Sequence, residues 1–298
     1  MVVVLAPLPS RLNAVLNGLV GDKLESQNSR LAITMAFRRN RKDIPIRDLD
    51  VPERDWVIYI HGLMADEAIW NGFAPKLGTR YSVLHVRYNT GRHISENGKS
   101  LSALMEELVH RHTPRKIVLL GHSMGGLVIR SACHYGKLSH CSWVSKVKTI
   151  FLIAVPNYGA ALAQLNHMSA VVLKTIGRFY TGRIGTLIEQ RSNGIKDLRQ
   201  GAMVDEDWKY GEPAILNYDK HTPIPPVQGV HYHILVGNLS KEEDSLMAKY
   251  FGDGLVTPSS AIAETLIRVS TVKVFPQTGH NSILRSKDVH AYVQQTLL

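Results

Sequence analysis

A chain of 298 residues, 44% hydrophobic and 20% charged, is long enough to bury a full core and lies near ordinary globular composition, which excludes a disordered or fibrous protein. The formal net charge of +10 raises nucleic acid or an anionic lipid surface as partners, with Arg38, Arg39, Arg41 and Lys42 as the densest basic cluster. That cluster has no interleaved aromatics, and neither zinc-finger spacing nor an RNA-binding signature appears, so it reads as a solvated turn and no nucleic-acid role is expected.

The opening MVVVLAPL resembles the apolar core of a signal peptide, but no basic region precedes it and no small-residue cleavage site follows, so a cytoplasmic location is expected. Leu12, Val15, Leu16, Leu19 and Val20 recur at helical spacing, and LAITMAF from Leu31 reads as an early strand leading to Ile44. Residues 1–50 thus form an N-terminal unit of helix and early strand. From Asp55 onward, short apolar runs alternate with helical patterns, the signature of a parallel sheet with crossover helices. The runs are VIYIHG from Val57, YSVLHVRY from Tyr81, KIVLLGHS from Lys116, KTIFLIAVP from Lys148, HYHILVGN from His231 and TLIRVSTVKVF from Thr265. No apolar run approaches the length of a membrane span, about 18 residues or more.

Leu101, Leu104, Met105 and Leu108 mark a crossover helix that Pro114 stops, and a second helix follows Ser123 with Leu127, Val128 and Ile129 near its start and Gly136 as its terminator. Cys133 and Cys141 make neither a disulfide framework nor a metal site by spacing and read as buried free thiols. Residues 157–228 carry helical patterns and no convincing strand. Within them Leu162, Leu165, Met168, Val172, Leu173, Ile176 and Phe179 fall on one helical face. The expected organisation is therefore an α/β core over 51–157 and 229–298, a mostly parallel sheet with helices on both faces, interrupted by a helical cap over 158–228. The chain closes with a helical pattern from Ile283 to Leu298.

Gly121-His122-Ser123-Met124-Gly125-Gly126 sits between an apolar strand and a helical run, the context that turns a G-x-S-x-G match into evidence of a nucleophile. A serine on so tight a turn is strained, and side chains two residues away would meet neighbouring backbone, which glycine at 121 and 125 avoids. The turn also aims the first N–H groups of the helix at a developing negative charge, making Met124 N–H an oxyanion donor. His61-Gly62-Leu63, after an earlier strand, supplies a second donor in Leu63 N–H, with His61 read as a structural histidine.

Serine needs a base, and the base an orienting carboxylate. In sites built on this strand–turn–helix, acid and then base follow the nucleophile on loops after later strands. Asp253, in GDGLV, and His280, in TGHN, occupy such loops. Asp244, in a charged run, and Asp219, near the end of the cap, are rivals for the acid; His231, His233 and His290 lie within strand or helix patterns.

HGL at His61, GHSMGG at Gly121, AVPNYGA at Ala154 and DGLV at Asp253, with His280 in order behind them, resemble the α/β-hydrolase superfamily, and within it the bacterial lipase and GPI inositol-deacylase-like group. The resemblance covers roughly 51–298 apart from the cap, and NGIKDLRQGA at Asn193 is similar to the segment closing the cap in that group. It implies the fold, a Ser123–Asp253–His280 triad and ester hydrolysis through an acyl-enzyme, with a lipid or small-molecule ester as substrate and contact with an anionic membrane surface. A histidine often stands in that group where this chain has Asn157. Calcium ligands of some members have no match here, so neither metal nor cofactor is expected, and no feature specifies an oligomeric state. The same triad serves thioesterases, acyltransferases and amidases, and a silent fold of this kind can act as a binding module.

Overall fold

Val57 to Ile60 show no polar alternation because both faces of their strand are covered, as in a parallel sheet wrapped by helices. In the computed structural model, which describes residues 8–52, 54–73, 75, 77–160, 191–209, 221–240, 253–254, 256, 258–261 and 264–298, this strand lies inside an eight-stranded sheet. The strands are β1 (Ala36–Arg39), β2 (Lys42–Ile44), β3 (Asp55–Ile60), β4 (Tyr81–Arg87), β5 (Ile117–His122), β6 (Val147–Ile153), β7 (His231–Asn238) and β8 (Ser270–Pro276), in the order β2-β1-β4-β3-β5-β6-β7-β8. From β4 to β8 all neighbours are parallel; β1 pairs antiparallel with both β2 and β4.

Alternate residues of each strand feed two separate cores. Trp56, Ile58 and Ile60 join α1 (Ser10–Ser26), α2 (Ile94–Arg111) and α3 (Met124–Leu138) on one face. Val57 and Tyr59 join Trp70, Phe73, Phe275 and the closing helix, α8 (Lys287–Leu297), on the other. The described residues also form three short helices, α4 (Trp143–Lys146), α6 (Glu206–Lys209) and α7 (Pro258–Ala261). Between β6 and β7, α5 (Asn193–Gln200) precedes α6. The apolar face at 162–179, Asp219 and Asp244 lie outside the described residues.

Several expectations change. The early strand begins only at Ala36, after turns over Leu31 and Ala32, and the last begins at Ser270, because Glu264–Val269 forms a 3-10 helix. Gly136 does not end α3, which runs to Leu138; a Cβ there would lie 2.8 Å from Val144 Cγ2 and 2.9 Å from Ser102 Oγ, so the glycine serves packing. The basic cluster is a β1–β2 hairpin whose turn residues Asn40 (φ 51) and Arg41 (φ 63) have the positive φ values of a type I′ turn. Arg38 is buried in it, paired with Asp43 at 2.8 Å and Glu67 at 2.9 Å. Both cysteines are free, and Cys141 is only half-buried. Among the described residues no helix is long and apolar enough to cross a membrane.

His61 and His122, at the carboxyl ends of β3 and β5, are fully enclosed. Burial pushes His61 down to about 4 and His122 down to about 3, so both rings are neutral in the folded protein. The unfolded chain takes up these protons near the ordinary value of 6.5, so it binds more protons than the native state below that pH and stability falls with acidification. The urea midpoint is expected to hold above pH 7 and to decline as the pH drops from about 6.5 toward 4; a midpoint constant across that window would contradict the assignment.

Candidate active site

β5 ends at His122 and α3 begins at Met124, so the whole reversal of the chain falls on Ser123, at φ 53 and ψ −126. A non-glycine residue in this region costs of order 1–3 kcal/mol and persists only where its surroundings impose it. Here they do. Ser123 N–H donates to the Ile153 carbonyl at 2.9 Å, and the Ser123 carbonyl accepts from Gly126 N–H at 3.0 Å. An added Cβ at Gly121 would sit 2.6 Å from Gly126 Cα, and one at Gly125 would sit 2.3 Å from the Ile60 carbonyl oxygen. Gly126 is equally constrained, 2.2 Å from Val155 Cγ2 by the same construction.

Asp253 and His280 meet. His280 Nδ1–H donates to Asp253 Oδ2 at 2.9 Å, and His280 N–H donates to the Asp253 carbonyl at 2.9 Å, so side chain and backbone hold one another. Val256 N–H donates to the other carboxylate oxygen at 2.7 Å. Both side chains are nearly buried. The remaining link of the expected row, from Ser123 Oγ to the imidazole, is not formed within 3.5 Å; such bonds often close only in the substrate complex.

Gly62 carries the loop after β3 against the serine: a Cβ there would lie 3.0 Å from Ser123 Cβ. Met64, at φ 57, donates its N–H to Thr90 Oγ1 at 3.2 Å. Among the described residues the amides of Leu63 and Met124 donate to no group. His61 is held by structural partners: its Nδ1–H donates to the Gly62 carbonyl at 2.9 Å, Tyr88 stacks on its ring at 4.5 Å, and Tyr88 OH donates to its carbonyl at 2.7 Å.

His122 is a site residue that sequence reasoning passed over. Its Nε2–H donates to the His280 carbonyl at 2.9 Å and its ring lies 4.9 Å from the His280 ring. The signal was its place beside the nucleophile, but the partner is 158 residues away. Asn157 accepts a hydrogen bond from the buried Arg130 at 2.8 Å and donates to the Ala261 carbonyl at 2.6 Å, tying α3 to α7 just beyond the acid loop. Among the described residues no group of three or more His, Cys, Asp or Glu side chains gathers at metal-binding distance.

Residues 57–295 match the model of the alpha/beta hydrolase family. No curated protein matches the chain. Among solved structures, the mature lipase BlEst2 of Bacillus licheniformis is similar with a TM-score of 0.54 and 18% identity, covering 89% of this chain and 98% of that one. A thermophilic esterase from Thermogutta terrifontis has a TM-score of 0.48 and 17% identity, covering 88% and 92%. At such identities the likeness is one of fold. The family match spans the strained serine turn and both loops that follow it, and this chain belongs to the alpha/beta hydrolase family.

Proposed function

We propose that the protein hydrolyses carboxylic esters, in the manner of a lipase or esterase, through an acyl-enzyme on Ser123. The observation that carries this reading is the Asp253–His280 hydrogen bond of 2.9 Å, formed on the loops that follow the strained Ser123 turn. Ser123 Oγ attacks the ester carbonyl carbon as His280 Nε2 takes its proton. Asp253 keeps the other imidazole proton on Nδ1 and stabilises the imidazolium. The carbonyl oxygen becomes an oxyanion held by the Leu63 and Met124 amides, with the N-terminal dipole of α3 adding to the field. Collapse of the tetrahedral species breaks the ester C–O bond, and Nε2–H protonates the departing alcohol. Water then repeats the cycle on the acyl-enzyme.

The B. licheniformis neighbour is itself a lipase, and we infer the same chemistry on the shared fold. The HGL, GHSMGG and DGLV segments favour the bacterial lipase and GPI inositol-deacylase-like group, and a lipid ester as substrate. A net charge of +10 supports meeting that substrate at an anionic lipid surface.

A fluorophosphonate probe should label the wild type and leave Ser123→Ala unlabelled; equal labelling of both would remove Ser123 from the mechanism. Asp253→Asn should lower kcat by about 10⁴-fold, because the wrong tautomer of His280 then faces the serine, while circular dichroism stays that of the wild type. Near-normal turnover would place the acid elsewhere. A panel of nitrophenyl esters of increasing acyl length, run beside matched thioesters and anilides, separates ester hydrolysis from thioesterase or amidase activity.

A further inference from the structure

α1 precedes the segment matched by the family model, which begins at residue 57. Its apolar residues explain why it docks on the core, but not why its middle is built from Asn17, Gly18 and Gly21, all buried. At Gly18 the helix crosses the loop that carries Leu63. A Cβ at 18 would lie 2.3 Å from Met64 Cγ and 3.1 Å from Met64 Cα, so a side chain there would have to displace Met64. The Gly18 carbonyl accepts a hydrogen bond from Ser192 Oγ at 2.6 Å, and Ser192 caps α5. Asp22 Oδ2, one turn further on, accepts from Asn193 N–H at 3.2 Å.

The same helix reaches the far end of that loop. Ser10 Oγ donates to Asp66 Oδ2 at 2.8 Å, and the other Asp66 oxygen accepts from Ala68 N–H at 3.0 Å, closing the 3-10 turn over Glu67–Gly72. A third contact fixes what lies behind. Gly21 accepts from Asn89 Nδ2 at 2.9 Å, and Gly91 fits against the Asn17 carbonyl, where a Cβ would come within 2.2 Å. Residues 89–91 flank Thr90, whose hydroxyl holds Met64 N–H. The helix departs from helical geometry at Val20 (φ −142, ψ 19), between the glycine facing Met64 and the one facing Asn89, which lets the two halves meet two different loops.

We propose that Gly18 and Ser10 are positioning residues for ester hydrolysis: α1 clamps the 62–66 loop at its middle and its far end, acting through Met64 and Asp66, and so holds the Leu63 amide against Ser123. This rests on the reading of Leu63 N–H as an oxyanion donor. Neither residue touches substrate. The clamp works because Met64 already spends its own N–H on Thr90 and sits at φ 57, so the loop has no slack to absorb a displacement at residue 64. A full loss of one such donor lowers kcat by about 10²–10³-fold, and a displaced donor keeps part of that effect.

The test uses the full chain with Gly18→Ala, Met64→Ala, the double variant Gly18→Ala/Met64→Ala, and Ser10→Ala, each assayed for kcat, KM, fluorophosphonate labelling rate and thermal midpoint. Gly18→Ala should lower kcat by about 10-fold or more, with KM within about twofold, and slow labelling in proportion. Met64→Ala removes the colliding Cγ, so combined with Gly18→Ala it should recover most of the kcat that Gly18→Ala loses. Ser10→Ala removes a hydrogen bond and no packing; it should lower kcat about threefold at unchanged KM, and it decides the matter if Gly18→Ala does not fold. Wild-type kcat in folded Gly18→Ala, loss of thermal stability alone, or no recovery in the double variant overturns the clamp, as does unchanged kcat in Ser10→Ala where that variant is decisive. A wild type that neither takes the probe nor hydrolyses esters would instead remove the esterase reading on which the clamp rests.

Discussion

The first turn of α3 lies so close to the end of β3 that no side chain fits between them: a Cβ on Gly125 would come within 2.3 Å of the Ile60 carbonyl oxygen and 2.5 Å of that of His61. This approach forces the reversal of the chain onto one residue, Ser123, and holds it at a φ that serine does not otherwise favour. It has a second effect. The backbone that Gly125 touches continues through Gly62 into Leu63, so the Ser123 turn and the loop bearing the proposed second amide donor share one contact surface. Pre-set dipoles of this kind stabilise a developing charge without reorganising as it forms. The strain at Ser123 is offset by packing throughout the β3–α3–β6 layer, where Ile60, Ile153 and Val155 are buried.

The imidazole of His280 is fixed from two directions. Asp253 holds it through Nδ1 and through the backbone, and His122 holds its carbonyl from the nucleophile strand. The second anchor serves the proposed mechanism only while His122 is neutral, because a charged ring 4.9 Å away would oppose an imidazolium at His280. Burial, reinforced by the proximity of His280 itself, pushes the His122 ring down to about 3 and secures that state. A second buried histidine, His61, is kept neutral in the same way and tied up by Tyr88 and Gly62. The site is thus lined by rings that would not compete for the proton that Ser123 releases in the proposed mechanism.

Much of this was legible in the chain because the information is local. A continuous apolar run followed by G-x-S-x-G specifies a strand, a turn and a helix within about 20 residues, and the loops of Asp253 and His280 follow from chain order alone. What escaped is non-local. Gly136 was taken for a terminator because glycine commonly ends helices, yet here its missing Cβ makes room for Trp143 and Ser102. The basic cluster is an exposed turn at Arg39, Arg41 and Lys42, as its composition indicates, and only Arg38 departs from that reading, buried by its pairing with Asp43 and Glu67. The strand expected from Leu31 lost its first residues because the Leu31 carbonyl and Ile33 N–H are claimed by the buried Asn17 side chain. In each case a partner far along the chain outweighed local propensity.

Asn157 shows how such long-range partners bear on the site. Arg130 is buried in α3, with Asn157 Oδ1 at 2.8 Å and Thr265 Oγ1 at 3.3 Å as its acceptors and no carboxylate in bonding distance among the described residues. Burial pushes its guanidinium down to about 10, and a cation so placed must keep every acceptor it has. The Asn157 amide serves both partners: its oxygen accepts from Arg130 while its NH₂ donates to the Ala261 carbonyl. Through these bonds the segment after β6 braces α3, which follows Ser123, against α7, which follows the Asp253 loop, on a buried charge.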